Sequence, residues 1–239
     1  MCGIVGKLNF NGQSVTRQEI ESMCRAIAHR GPDDQGIWIK GPVGLGNRRL
    51  SIIDLGPSGH QPISNETKTV WITFNGEIYN FQKLQTDLKK RGHRFRSRTD
   101  TETIVHLWEE YGVNCLKYLR GMFALALYDQ KKQKLILARD RLGKKPLYWG
   151  KFGQTLIFGS ELKAILTHPL VKRQINFQAL AKYLIMEYVP TPFSIFENIH
   201  KLEGGYYLVV DDELKIKIKN YWQLSFKERK ISSERELLT

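Results

Sequence analysis

Two apolar periodicities run through this sequence, and they occupy separate blocks instead of alternating. Short β-prone runs of four to seven residues lie at 4–10, 37–40, 43–46, 50–54 and 70–74, most of them bounded by Gly, Pro, Asn or Asp. Further runs at 122–128, 135–139, 147–150 and 155–158 read as a meander, and a last pair lies at 206–210 and 215–219. The helical period appears elsewhere. Thr16 with Glu19 forms a capping box, after which Ile20, Met23, Cys24, Ile27 and Ala28 share one face, so Cys24 reads as core filling. Helices are also expected at 81–91 (Asn80 as cap, Gly92 as stop), 101–111, 161–166 and 176–186. Strands and helices in separate blocks predict an α+β fold. A doubly wound nucleotide fold is disfavoured, because neither GxGxxG nor GxxxxGK[ST] occurs.

Composition narrows the class further. The 239 residues are 41% hydrophobic and 26% charged, which suits one large globular domain or one domain with an appendage. No apolar run approaches the ~18 residues of a membrane helix, and the start MCGIVGKLNF lacks the pattern of a secretory signal. Three separated cysteines (Cys2, Cys24, Cys115) suit neither a disulfide scaffold nor a zinc knuckle, so a reducing cytoplasm and no metal are expected. The sequon at Asn65 is idle without a secretory route. A net charge of +13, with basic clusters at Arg91, Arg94, Arg96 and Arg98 and at Arg139, Arg141, Lys144 and Lys145, invites a nucleic-acid reading. Scattered acidic residues and the lack of a nucleic-acid module favour a solvated face or a partner interface instead.

Several residues carry possible chemistry. Cys2 follows the initiator Met, and its side chain is small enough for Met1 to be removed. An α-amine of pKa about 8 would then stand beside a thiol of about 8.5, so that one residue supplies nucleophile and base. The plainer reading is a small residue at a strand start. Asn75-Gly76 between two β-like runs reads as a hairpin turn or as an oxyanion hole made by a side-chain amide and a backbone N–H. Arg49 is either a surface arginine or a bidentate carboxylate partner. Asp100 is a helix cap or a ligand anion, with Thr99 and Glu102 fitting a second capping box, and Glu77 is half of a hairpin salt bridge or a second anion.

In order, MCGIVG, HRGPD, RRLSIID, FNGEIYN, TDTE, LRGMFALALYD, ARDRLGKKPLY and GSELKAIL resemble the glutaminase domain of the glutamine-hydrolysing asparagine synthetase family, the class II glutamine amidotransferases with an N-terminal nucleophile. The resemblance covers about residues 2–225. It implies a four-layer αββα sandwich of the N-terminal nucleophile hydrolase type, with two stacked antiparallel sheets flanked by helices. It also implies that Cys2 attacks the amide of glutamine, that Asn75 and Gly76 form the oxyanion hole, and that Arg49 holds the α-carboxylate. Glu77 and Asp100 would hold the α-ammonium, and Leu50, Ser51, Ile52 and Ile53 would line the pocket. The loop at 29–33 would lie close by, with no role assigned to its members. Glutamine, a zwitterion with a neutral amide, needs such a set: a cation, anions, a nucleophile and oxyanion donors.

Family members continue into an ATP-using synthetase domain with a loop near SGGxDS, which does not occur here. Residues 1–225 are therefore expected to be the glutaminase domain, and 226–239 a linker or the start of a truncated synthetase domain. No cofactor is expected in this portion, with ATP and Mg²⁺ belonging to the synthetase domain. That domain is the expected partner, a homodimer is conceivable, and neither membrane nor nucleic acid is expected. The expected activity is glutamine hydrolysis feeding ammonia to aspartate amidation; the alternative is amidation of another carboxylate, such as a surface sugar or specialised metabolite.

Overall fold

The computed structural model describes residues 1–211 and 213–226. In chain order the strands are β1 (Gly3–Asn9), β2 (Asp34–Lys40), β3 (Val43–Arg49), β4 (Ile63–Ser64), β5 (Val70–Ile78), β6 (Gly121–Asp129), β7 (Lys134–Arg139), β8 (Tyr148–Phe152), β9 (Thr155–Gly159), β10 (His200–Lys201), β11 (Tyr206–Val210) and β12 (Ile216–Asn220). The α-helices are α1 (Arg17–Ala26), α2 (Phe81–Lys90), α3 (Asp100–Tyr111), α4 (Leu162–Ile165) and α5 (Phe177–Met186). Two antiparallel sheets result, ordered β10-β8-β9-β1-β3-β2 and β12-β11-β7-β6-β5-β4.

Side-chain alternation builds the layers. Ile4 and Leu8 of β1, Val43 and Leu45 of β3, and Ala124 and Ala126 of β6 belong to the core between the sheets. Their neighbours point outward: Val5 packs beneath Ile20, Met23 and Cys24 of α1, and Phe123, Leu125 and Leu127 pack beneath Ile104, Val105 and Leu107 of α3. A strand buried on both faces needs no polar alternation, which explains the apolar run through β6. The layers are helix, sheet, sheet, helix, as the αββα expectation has it.

Local chemistry sets the helix ends. The Thr16 side chain accepts from the Glu19 N–H while the Glu19 carboxylate accepts from the Thr16 N–H, completing the first capping box. Thr99 caps α3 in the same way, but the Glu102 carboxylate accepts from the N–H groups of Arg96 and Ser97, so the second box is only half formed. Asn80 precedes α2 without capping it; its amide bridges Tyr118 O and the Arg120 N–H across to the start of β6.

Three expectations are corrected. Residues 50–54 form no strand, because the carbonyls of Ile53 and Asp54 turn onto the Arg49 guanidinium and Asp54 adopts a left-handed φ of 55°. Asn75-Gly76 is no hairpin turn but the middle of β5, paired with Ala124 and Phe123 of β6. The meander at 122–158 is two hairpins, β6–β7 and β8–β9, lying in different sheets. The segment expected to begin a linker at 226 lies, beyond Phe226, outside the described residues.

Candidate active site

The register of the sheets gathers the candidate residues at one end of the sandwich. Gly3 pairs with Arg48 across β1 and β3, which sets Cys2 alongside Arg49. Cys2 has the parity of Ile4 and Leu8, and Arg49 that of Val43 and Leu45, so both face the space between the sheets. On the opposing sheet Asn75 and Glu77 share the parity of Trp71, which packs against that same core. The result is a cavity of about 380 Å³ lined by Cys2, Arg49, Leu50, Ile52, Ile53, Asn75, Gly76, Glu77 and Asp100. Ser51 is the one candidate that does not line it; its N–H is engaged by the Asp33 carboxylate at 2.8 Å.

The Cys2 thiol rests against backbone, 3.4 Å from the Leu50 N–H and 3.5 Å from Leu50 O. Its carbonyl accepts from Arg30 Nε at 2.9 Å, and Arg30 in turn pairs with Glu161 at 2.9 Å. Despite partial burial, hydrogen bonds from Arg30, His29 and Lys163 hold the Glu161 carboxyl below the usual range. The 29–33 loop thus acts as a strut that fixes the start of β1. It comes so close that a Cβ on Gly31 would lie 2.3 Å from the Arg48 carbonyl carbon.

Arg49 is buried, and the 53–59 loop wraps its guanidinium. It donates to Gly56 O at 3.3 Å, to Ile53 O at 3.1 Å and to Asp54 O, which leaves two of its five N–H donors. A Cβ on Gly59 would stand 2.0 Å from Arg49 Nη2, so only glycine fits over it.

Asn75 is 1% exposed, and its Nδ2 is a buried donor with no hydrogen-bond partner. Such an orphan costs roughly 1–3 kcal/mol and requires an explanation. The backbone beside it is also poised. Phe74 N–H donates to Gln61 Oε1 and Ile78 N–H to the Asp100 carboxylate, both off the edge of β5 that faces away from β6. By strand alternation the Gly76 N–H leaves the same edge, between those two. Glycine itself is required here by packing: a Cβ would meet Met122 O of β6 at 2.2 Å.

Asp100, buried at the first turn of α3, is pushed by burial from 3.8 up to about 6, against the Ile78 and Thr101 hydrogen bonds that favour its charged form. A raised carboxyl pKa in the folded state penalises folding fully above about pH 6, and the penalty fades as pH falls towards 3.8. Asp100→Asn is accordingly expected to gain on the order of 2 kcal/mol at pH 8 and little at pH 4, read by urea unfolding. A variant less stable than the parent at pH 8 would contradict this.

Sequence reasoning missed Lys145 and Gln61, which also line the cavity. Lys145 sits in a turn held by the buried Asp140, whose carboxylate accepts from the N–H groups of Phe123, Leu142, Lys144 and Lys145. Its ammonium approaches Met1 Sδ at 3.1 Å. The motif containing it was legible, but nothing in the sequence tells which of its basic residues turns inward. Gln61 joins Asn47 of β3 to the Phe74 N–H and Thr101, locking both sheets and α3 together beneath the site.

Comparison with known proteins places the chain in a family. The chain is 36% identical to an asparagine synthetase (glutamine-hydrolysing) 3 of Bacillus subtilis, over 94% of this chain and 37% of that protein. It is 32% identical to the amidase chry2 of Gibberella zeae, over 96% of this chain and 35% of that protein. The chain spans less than half the length of these curated relatives. A solved glutamine phosphoribosylpyrophosphate amidotransferase from B. subtilis shares the fold, with a TM-score of 0.67 at 20% identity over 93% of this chain and 50% of that one. Residues 1–222 match the family described as the glutamine amidotransferase domain, and the chain belongs to that family.

Proposed function

We propose that this chain hydrolyses glutamine to glutamate and ammonia, and that a synthetase domain of the full-length protein uses the ammonia to convert aspartate into asparagine. The observation that carries the reading is the buried, unpartnered Asn75 Nδ2 in the same cavity as the Cys2 thiol. With Met1 removed, the Cys2 α-amine takes the thiol proton as sulfur attacks the side-chain amide carbon. Asn75 Nδ2 and the Gly76 N–H stabilise the oxyanion. Collapse breaks the C–N bond, the α-amine returns the proton to the leaving nitrogen, and ammonia departs from a glutamyl thioester. Water, deprotonated by the same amine, then releases glutamate and restores the thiol.

Arg49 offers its two remaining N–H donors to the α-carboxylate, and Asp100 with Glu77 receives the α-ammonium. A carboxyl at about 6 gives this a pH signature. Below pH 6 the fall in kcat/KM for glutamine is expected to steepen by a further tenfold or so per pH unit as Asp100 protonates, beyond the limb set by the α-amine, and this added slope should vanish in Asp100→Asn, whose KM is high throughout. A limb unchanged in the variant would remove Asp100 from the binding set.

ATP and Mg²⁺, which amidation requires, belong in this proposal to the synthetase domain, with residues 1–225 forming the glutaminase unit. An apolar strip on α5 supports a following domain: Phe177, Leu184 and Ile185 are each more than 70% exposed. The Gibberella relative, named an amidase, supports a second reading in which another carboxylate is the acceptor. Identifying the amidated product of the full-length protein separates the two. No helix among the described residues is long and apolar enough to cross a membrane.

The intact mass of the purified chain, before and after an electrophilic glutamine analogue, tests the central step. Loss of Met1 and a single adduct that is absent in Cys2→Ala are expected. A processed N-terminus that takes no adduct would overturn the glutamine assignment.

A further inference from the structure

Away from the Cys2 cavity, two imidazoles and a carboxylate meet beside the connection between α2 and α3. His93 lies in that connection, while His106 and Glu109 stand one turn apart on the same face of α3. His93 Nδ1 is 3.2 Å from His106 Nδ1, His106 Nδ1 is 2.8 Å from Glu109 Oε2, and His93 Nδ1 is 3.7 Å from Glu109 Oε2.

Other groups hold the far side of each. His93 Nε2 lies 2.9 Å from Glu110 Oε1, whose other oxygen is taken by Arg91. Asn65 Nδ2 donates to Glu109 Oε1 at 2.8 Å. His106 Nε2 is buried without a hydrogen-bond partner and faces Glu102 Oε1 at 3.8 Å. The Glu110 carboxylate at His93 Nε2 selects the tautomer with its hydrogen there, which leaves His93 Nδ1 with a lone pair. The two Nδ1 atoms and a Glu109 carboxylate oxygen all lie within 3.7 Å of one another. A proton can bridge only two of the three acceptors, whereas a divalent ion bonds all of them.

We propose that His93 Nδ1, His106 Nδ1 and Glu109 Oε2 bind one divalent transition-metal ion of the zinc class. Bonds of ~2.0–2.2 Å to a tetrahedral ion put ligand atoms roughly 3.3–3.5 Å apart, and the observed separations of 2.8–3.7 Å bracket that. Two imidazoles and one carboxylate suit zinc better than a hard oxygen-seeking cation. Glu110 and Asn65 provide the outer hydrogen bonds that orient such ligands. The partial exposure of His93 and Glu109 leaves room for a water at the fourth position. The ion would clasp the connection that leads into Thr99 and Asp100, giving it a structural role at one wall of the glutamine cavity.

Cobalt(II) titration of the purified chain tests this, in a Cys2→Ala background so that the thiol does not compete. One saturable equivalent is expected, with visible d–d absorption, and cobalt or zinc should raise the thermal midpoint. His93→Gln, a substitution in a loop, should stay folded by circular dichroism, bind at least about tenfold more weakly and lose the metal-dependent rise in midpoint. Glu110→Gln should weaken binding with the three ligands intact. Absence of saturable binding by the parent at about 1 mM free ion would overturn the proposal and leave a proton as the cluster's cation. Undiminished binding by His93→Gln would overturn it too, by placing the ion elsewhere.

Discussion

A chain that keeps Met1 is expected to hydrolyse glutamine about 10²–10⁴-fold more slowly than one beginning at Cys2, although both carry the thiol. The reason lies in what surrounds the sulfur. The polar contacts of Cys2 Sγ are the backbone N–H and carbonyl of Leu50, and among the described residues no histidine or carboxylate side chain hydrogen-bonds to it. The α-amine is therefore the base that the geometry offers, and a peptide bond from Met1 converts it into an amide nitrogen with no basicity. Met1 also lines the cavity, its sulfur met by Lys145. Kinetics of chains released from a fusion with either Met1 or Cys2 first would separate the two effects. Lost basicity lowers kcat, whereas simple obstruction raises KM and slows labelling by the glutamine analogue. Equal rates would exclude the amine as the proton carrier.

The α+β class was legible because the core obeys simple periods, whereas the stacking of two sheets between helices came with the family resemblance. The apolar run at 122–128 read as a strand and the Ile20–Met23–Cys24 stripe as an amphipathic helix, and both form, although only the structure shows that the strand is buried on both faces. What failed were segments where polar tertiary contacts override local preference. Asn75-Gly76 has turn chemistry, yet pairing with β6 along the whole of β5 holds it extended. Residues 50–54 have strand composition, yet a buried guanidinium with few other partners bends their carbonyls towards it. The same logic limits the site. Cys2, Arg49, Asn75 and Asp100 stood out through the resemblance, whereas Lys145 and Gln61 enter the cavity through turns and long-range hydrogen bonds that no sequence period encodes. The histidine cluster beside α3 was invisible for a related reason: His106 and Glu109 show helical spacing, but His93 joins them only once the α2–α3 connection is folded.

Asn75→Ala is expected to reduce kcat for glutamine about 10²–10³-fold with KM nearly unchanged. A donor aimed at an oxyanion acts only when charge develops on that oxygen, so its loss belongs to the transition state and not to substrate binding. Stability gives the independent check. Most truncations at a position 1% exposed destabilise through lost packing. Here the truncation also removes a buried donor that has no partner, so the two effects oppose and unfolding free energy should change by less than about 1 kcal/mol. Asn75→Asp keeps the shape but replaces the donor with an anion facing the developing oxyanion, and should be slower still. If urea unfolding shows a loss of several kcal/mol in Asn75→Ala while kcat holds, the residue is packing and the Nδ2 orphan has another cause. If kcat falls while the fold stays firm, the strain carried by that unpaired amide is what the protein spends on catalysis.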